Sequence, residues 1–123
     1  MSKTALVVDD SPTMRQMVAF TLTNAGFKVV EAEDGKDAVN KVAAGQKMDI
    51  VVTDLNMPEM DGISLIKELR KMAAFKFTPI LMLTTESAVD KKQAGKDAGA
   101  TGWIVKPFNP EVMLKIIAKV LPA

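Results

Sequence analysis

Five short apolar runs, at Ala5–Val8, Lys28–Ala32, Ile50–Thr53, Ile80–Leu83 and Trp103–Val105, set the tightest limit on what this chain can fold into. Each is too brief for a buried helix, and together they are rich in Val, Ile and Leu without polar alternation. That is the pattern of strands covered on both faces. Between them the spacing changes to a helical period. Met14, Met17, Val18 and Leu22 mark a first helix that Gly26 is placed to end. Asp34–Gly35 opens a second through Ala38, Val39 and Val42, closing near Gly45, and Ile63, Ile66 and Leu69 mark a third. The last helix has the clearest start, with Asn109 as N-cap, Pro110 at the first helical position, and an apolar stripe of Val112, Met113, Ile116, Ile117 and Val120. The fourth, about Ala88–Ala98, is the weakest, because Asp90, Lys91, Lys92, Gln93, Gly95, Lys96 and Asp97 leave it little apolar surface.

The order is βαβαβαβαβα. Strict alternation implies an α/β, doubly wound fold: a five-stranded parallel sheet with helices on both faces and right-handed crossovers. The chain's 123 residues fit one domain, 1–123, and leave no room for a second. No apolar run approaches the length of a membrane span and Met1–Thr4 begins no signal-peptide core, so a cytoplasmic location is the default expectation. A net charge of +1 gives no overall field toward nucleic acid or an anionic membrane, and neither is expected as a partner. Two absences narrow the chemistry. With no Cys there is no disulfide, thiolate nucleophile or cysteine zinc site, and with no His the commonest general base and metal ligand are missing. Carboxylates, hydroxyls, amides and lysine remain, and such hard oxygen ligands favour Mg²⁺, Mn²⁺ or Ca²⁺.

In an open α/β sheet the functional crevice lies outside the carboxyl ends of the strands. Strand one runs into Asp9–Asp10, strand three into Asp54, strand four into Thr84–Thr85–Glu86 and strand five into Lys106–Pro107. Each has a bland reading. Asp9 and Asp10 would serve as helix caps, Asp54 with Asn56, Pro58 and Asp61–Gly62 as turn chemistry, Lys106 as a solvated lysine, and Thr84 as a strand-end hydroxyl. None of these explains why four of five strands end this way at the same edge. As a set they make chemical sense. Carboxylates at about 4 Å repel by about 4 kcal/mol at an effective dielectric of 20. A divalent cation relieves that, and a carboxylate can accept a phosphoryl group.

These residues lie in LVVDDSPTMRQMV (Leu6–Val18), VVTDLNMPEMDGISLIKELR (Val51–Arg70), PILMLTTES (Pro79–Ser87) and GATGWIVKPF (Gly99–Phe108). With their spacing they resemble the receiver domains of two-component response regulators, above all the single-domain, CheY-like chemotaxis class, over essentially the whole chain. The resemblance implies strand order 2-1-3-4-5. It implies Asp54 as phosphoacceptor and Asp10 as direct Mg²⁺ ligand. Asp9 acts mainly through water, and Asp54 and the Asn56 carbonyl complete the metal site. Lys106 pairs with the acceptor, Thr84 is the switch hydroxyl and Trp103 the aromatic switch. Asn56 and Glu86 tune phosphoryl lifetime, with a short-lived phosphorylated state expected, and the Lys106–Pro107 peptide is expected cis. Trp103 departs from the commoner Tyr, Phe or His, and Thr85 fills a place often held by a smaller residue.

The same resemblance implies a histidine kinase as donor and a monomeric signalling switch rather than an enzyme. The output protein, a flagellar motor switch protein being the leading candidate, would bind the face of the fourth helix, fifth strand and fifth helix. A phosphatase is a further candidate partner. That face is basic through Lys91, Lys92, Lys96, Lys115 and Lys119, which fits an acidic or amphipathic segment. With no effector domain beyond Leu121, output through protein binding is expected. The alternatives are a phosphorelay intermediate or phosphate sink, and outside this family a haloacid-dehalogenase-type phosphatase or a flavodoxin-like cofactor binder. The phosphatase wants a second Asp where Asn56 stands. The cofactor binder wants a glycine- and hydroxyl-rich loop where Asp9–Asp10 stand.

Overall fold

Each apolar run is a strand, with ends within one residue of those expected. The computed structural model describes residues 3–45, 47–55, 57, 60–84, 89–106 and 109–121, with backbone alone at 89–91. In chain order the elements are β1 (Thr4–Val8), α1 (Pro12–Asn24), β2 (Lys28–Ala32), α2 (Gly35–Ala43), β3 (Ile50–Asp54), α3 (Gly62–Lys71), β4 (Ile80–Thr84), α4 (Val89–Ala98), β5 (Gly102–Val105) and α5 (Pro110–Val120). One 3-10 turn, Ala73–Phe75, follows α3. The strands form a single sheet in the order β2-β1-β3-β4-β5, every neighbouring pair parallel. The fold is therefore the doubly wound α/β architecture expected.

Side-chain alternation divides the core in two. Leu6, Val8, Val51 and Met82 pack with Ala38 and Val42 of α2 and Leu65, Ile66 and Leu69 of α3. Ala5, Val7, Val52, Leu81 and Leu83 pack with Val18 and Leu22 of α1 and Met113 and Ile117 of α5. The central strands β3 and β4 are buried at every residue, which is why their sequences show no alternation. Each fully buried Leu or Ile contributes about 1.5–3 kcal/mol relative to an exposed one.

The apolar stripes of α1 and α5 are narrower than their spacing suggests. Met17 and Val112 are exposed, while Val18 and Met113, about 100° round from each, are buried. In α1 the inward place goes to Thr21, whose hydroxyl donates to the Met17 carbonyl at 3.0 Å and so enters the core satisfied. The polar fourth helix is held by two other devices. At Gly95 an added Cβ would lie 2.2 Å from the Met82 Cε, so the missing side chain lets α4 approach β4 closely. Beyond its last turn the Arg70 guanidinium donates to the Gly99 carbonyl from Nε (3.1 Å) and Nη2 (2.8 Å), and to the Phe75 (2.6 Å) and Thr78 (2.7 Å) carbonyls from Nη1. One side chain thus ties the end of α4 to α3 and to the approach to β4.

Candidate functional site

Register brings the polar strand ends to one edge. Val8 lies beside Thr53, so Asp9 follows level with Asp54, and Asp54 lies beside Leu83. Thr84 lies beside Val105, and the Lys106 amide donates to the Thr84 carbonyl at 2.6 Å. From there the Lys106 ammonium reaches back across β4 to Asp54, Nζ to Oδ1 at 2.6 Å.

The loop after β1 is built so that its carboxylates stay out of helix capping. Ser11 caps α1 instead, its hydroxyl accepting from the Met14 N–H at 3.3 Å, and Pro12 takes the first helical position. Asp9 is pinned on three sides. Its N–H donates to the Ala32 carbonyl (3.2 Å), its carbonyl accepts from Arg15 Nη1 (2.8 Å), and its Oδ1 accepts from the Ser11 N–H (2.9 Å). Arg15 is itself held by Glu31 at 3.2 Å. What is left is Asp9 Oδ2, buried and without a hydrogen-bond partner among the described residues. Burial raises the Asp9 pKa, and the charges of Asp54 and Asp10 raise it further, against the Ser11 amide and Lys106, which lower it.

Asp54 ends β3 buried, and the turn beyond it is made by other residues. Asp61 caps α3, accepting from the Ser64 N–H at 2.8 Å, and the Gly62 N–H donates to the Leu55 carbonyl at 2.8 Å. A Cβ at Gly62 would stand 2.4 Å from the Asp54 carbonyl oxygen, so only glycine lets α3 start this close to β3. One carboxylate oxygen from each of Asp9, Asp10 and Asp54 lies within 4.8 Å of the others, Asp10 being the exposed member. Such a set suits a small hard cation that keeps part of its water shell. The Asp9 Oδ2, buried with no partner among the described residues, fits the same reading.

Thr84 is 1 % exposed, and its hydroxyl has no hydrogen-bond partner among the described residues. On the adjoining strand Trp103 is 37 % exposed, with the Lys92 ammonium 5.4 Å from its ring centroid. Asp9, Asp10, Asp54 and Lys106 thus come together as the strand ends imply, with Thr84 at the end of the neighbouring strand. Trp103 stands away, toward solvent. Asn56, Thr85, Glu86 and Pro107, with the cis peptide expected there, lie outside the described residues. The sequence does not single out Arg15, and it marks Gly62 only with Asp61 as turn chemistry. The signal for Gly62 was its place directly after the Asp61 cap, whereas Arg15 acts through a backbone carbonyl that no spacing reveals.

The family model of the response regulator receiver domain matches residues 5–118. The chain belongs to that family. This receiver is 43% identical over 117 residues to the chemotaxis protein CheY1 of Helicobacter pylori, covering 94% of each chain. The crystal structure of the chemotaxis response regulator CheY4 of Vibrio cholerae superposes on it with a TM-score of 0.92 at 50% identity, over 98% of this receiver and 100% of that chain. The receiver domain of the sensor histidine kinase PA1611 from Pseudomonas aeruginosa, solved with a magnesium ion coordinated in its active site cleft, superposes with a TM-score of 0.88 at 26% identity, over 98% of each chain. Among the described residues of this receiver, no helix is long and apolar enough to cross a membrane.

Proposed function

We propose that this receiver is a single-domain chemotaxis switch that takes a phosphoryl group from a histidine kinase onto Asp54 and thereby changes its affinity for an output protein. The observation that carries the reading is the meeting of Asp9, Asp10 and Asp54 oxygens within 4.8 Å with the Lys106 ammonium 2.6 Å from Asp54. In the transfer, a carboxylate oxygen of Asp54 forms the new P–O bond as the P–N bond of the donor's phosphohistidine breaks, and the imidazole leaves with the bond's electron pair. Lys106 already occupies Oδ1, which leaves Oδ2 to attack, and the ammonium then faces the phosphoryl oxygens. Asp9 and Asp10, with Asp54 and the Asn56 carbonyl, would hold Mg²⁺, which supplies charge neutralisation for the entering phosphoryl group. The Thr84 hydroxyl, lacking a partner among the described residues, would donate to a phosphoryl oxygen. Asn56 and Glu86 would set how long the acyl phosphate lasts.

The names of the similar chemotaxis proteins, and coverage of nearly their whole lengths, favour motor control over a phosphorelay or phosphate-sink role. Partner choice then rests on the face of α4, β5 and α5, a flagellar motor switch protein being the leading candidate. Incubation with acetyl phosphate and Mg²⁺ followed by intact-mass spectrometry tests the acceptor. One added phosphoryl group on wild type and none on Asp54→Asn is the expected result. Equal labelling of the two proteins would remove Asp54 from the role.

A further inference from the structure

The pole of the sheet opposite Asp54 carries a groove with a composition of its own. It opens between the start of β1, the approach to β3, the Ala73–Phe75 turn with the segment after it, and the end of α5, enclosing about 410 Å³. Phe77 lies on its rim 88 % exposed, the most exposed of the large apolar residues among those described. An aromatic ring held this far into water gains nothing for the fold. Lysines outnumber carboxylates around it. Lys3 and Lys47 line the groove, and the Lys76 ammonium stands 5.8 Å from the Phe77 ring centroid. Asp49 is the only carboxylate among the described lining residues, and its Oδ2 is already engaged by the Thr4 N–H at 2.7 Å. The carbonyl end of α5, at Leu121, opens on the same groove and disfavours an anion. The lysines therefore must supply the complementarity.

We propose that this groove docks an acidic peptide segment of another protein, anchored by one large apolar side chain set against Phe77 while its carboxylates meet Lys3, Lys47 and Lys76. A concave, lysine-rimmed slot with one protruding ring suits a peptide better than a flat bilayer, which would need a broader basic plane. The site stands about 15 Å from Asp54, the length of β3, and the intervening strand residues are close-packed core. Docking here is accordingly independent of phosphorylation. It gives the receiver a constant attachment distinct from its switched one.

The test is a chemical-shift titration of isotope-labelled receiver with an acetylated peptide of Glu and Asp flanking a central Leu–Phe pair. Saturable shifts should centre on Lys3, Lys47, Asp49 and Phe77. Phe77→Ser and Lys47→Glu, both at exposed positions, should each weaken binding about tenfold. Beryllofluoride with Mg²⁺ should change the affinity by less than about twofold. The proposal is overturned if shifts centre on α4 and β5 instead, or if Phe77→Ser binds as well as wild type. Equal binding of the same peptide with Lys in place of its acids would also overturn it. So would binding to phosphatidylglycerol vesicles but not to the peptide, which would assign the groove to lipid. Self-association abolished by Phe77→Ser would assign it to a second copy of the chain.

Discussion

Burial of the Asp9 carboxylate should cost the metal-free fold stability, as suits its proposed place in a cation site. Its carboxylate is out of water, one oxygen has no partner among the described residues, and two more carboxylates lie nearby. A raised folded-state pKa means that the folded protein binds the proton more tightly than the unfolded chain. The associated stability is fully present below the ordinary carboxylate pKa and lost as pH rises through the raised value. In metal-free buffer Asp9→Asn should therefore melt higher than wild type at neutral pH, by about 1–2 kcal/mol of stability, while weakening Mg²⁺ binding. The difference should shrink as pH falls toward about 4. Melting curves across that range, with and without Mg²⁺, provide the check, and a gap that widens on acidification would contradict the electrostatic account. The carboxylates were legible in the sequence because short apolar runs ended in them. Their freedom from capping was not, since Asp9, Asp10 and Ser11 are all good caps and only the fold shows Ser11 taking that role. Arg15 stayed hidden for a similar reason: its partner is the Asp9 main chain, and nothing in residue identity marks a carbonyl as needing a donor.

Among the elements, existence and order could be read from hydrophobic period, whereas the closeness of their packing could not. Gly62 and Gly95 look alike as helix glycines but answer to different neighbours. A methyl at Gly62 meets the Asp54 carbonyl at 2.4 Å, and backbone at the end of a central strand cannot step aside. A methyl at Gly95 meets the Met82 thioether end, at 2.2 Å to Cε and 2.7 Å to Sδ, which can turn to another rotamer. Gly62→Ala should lose about 1–3 kcal/mol and slow acetyl phosphate labelling by about tenfold or more, because the shift is passed to Asp54. In Gly95→Ala the repacking of Met82 is offset by about 1 kcal/mol of helix propensity, leaving stability near wild type and labelling unchanged. Urea denaturation and labelling rates compare the two. If Gly95→Ala proved the more damaging, the close approach of α4 would be the tighter constraint. The fourth helix also shows where period misleads. It lacks an apolar stripe, as its sequence says, yet it is anchored by the Arg70 clamp on Gly99, a long-range contact invisible to local spacing.

Over the whole molecule, the sheet separates the edge proposed to accept the phosphoryl group from the face of α4, β5 and α5 proposed to report on it, and Thr84 and Trp103 stand between them. Thr84 is buried without a hydrogen-bond partner among the described residues, so a phosphoryl oxygen offers its hydroxyl a bond it lacks, and its move would vacate space beside β5. Trp103 begins outside, 37 % exposed, with Lys92 5.4 Å from its ring. Two terms decide whether it turns in. Its exposed fraction of a side chain offering about 250 Å² is about 90 Å². At about 25 cal/mol/Å² that is worth about 2 kcal/mol on burial. Against it stands the loss of the Lys92 contact, about 0.5–1 kcal/mol at an exposed site. The remaining opposition is steric, since the indole needs room beside β5 that a move of Thr84, in its proposed role, would open. Beryllofluoride with Mg²⁺ should therefore shift Trp103 emission and reduce its quenching by acrylamide. Lys92→Met should lower quenching partway even before activation. Thr84→Ala should break the link between occupancy of Asp54 and the Trp103 response. As the only Trp in the chain, Trp103 reports without interference. Unchanged emission and quenching with Asp54 demonstrably occupied would remove Trp103 from the switch.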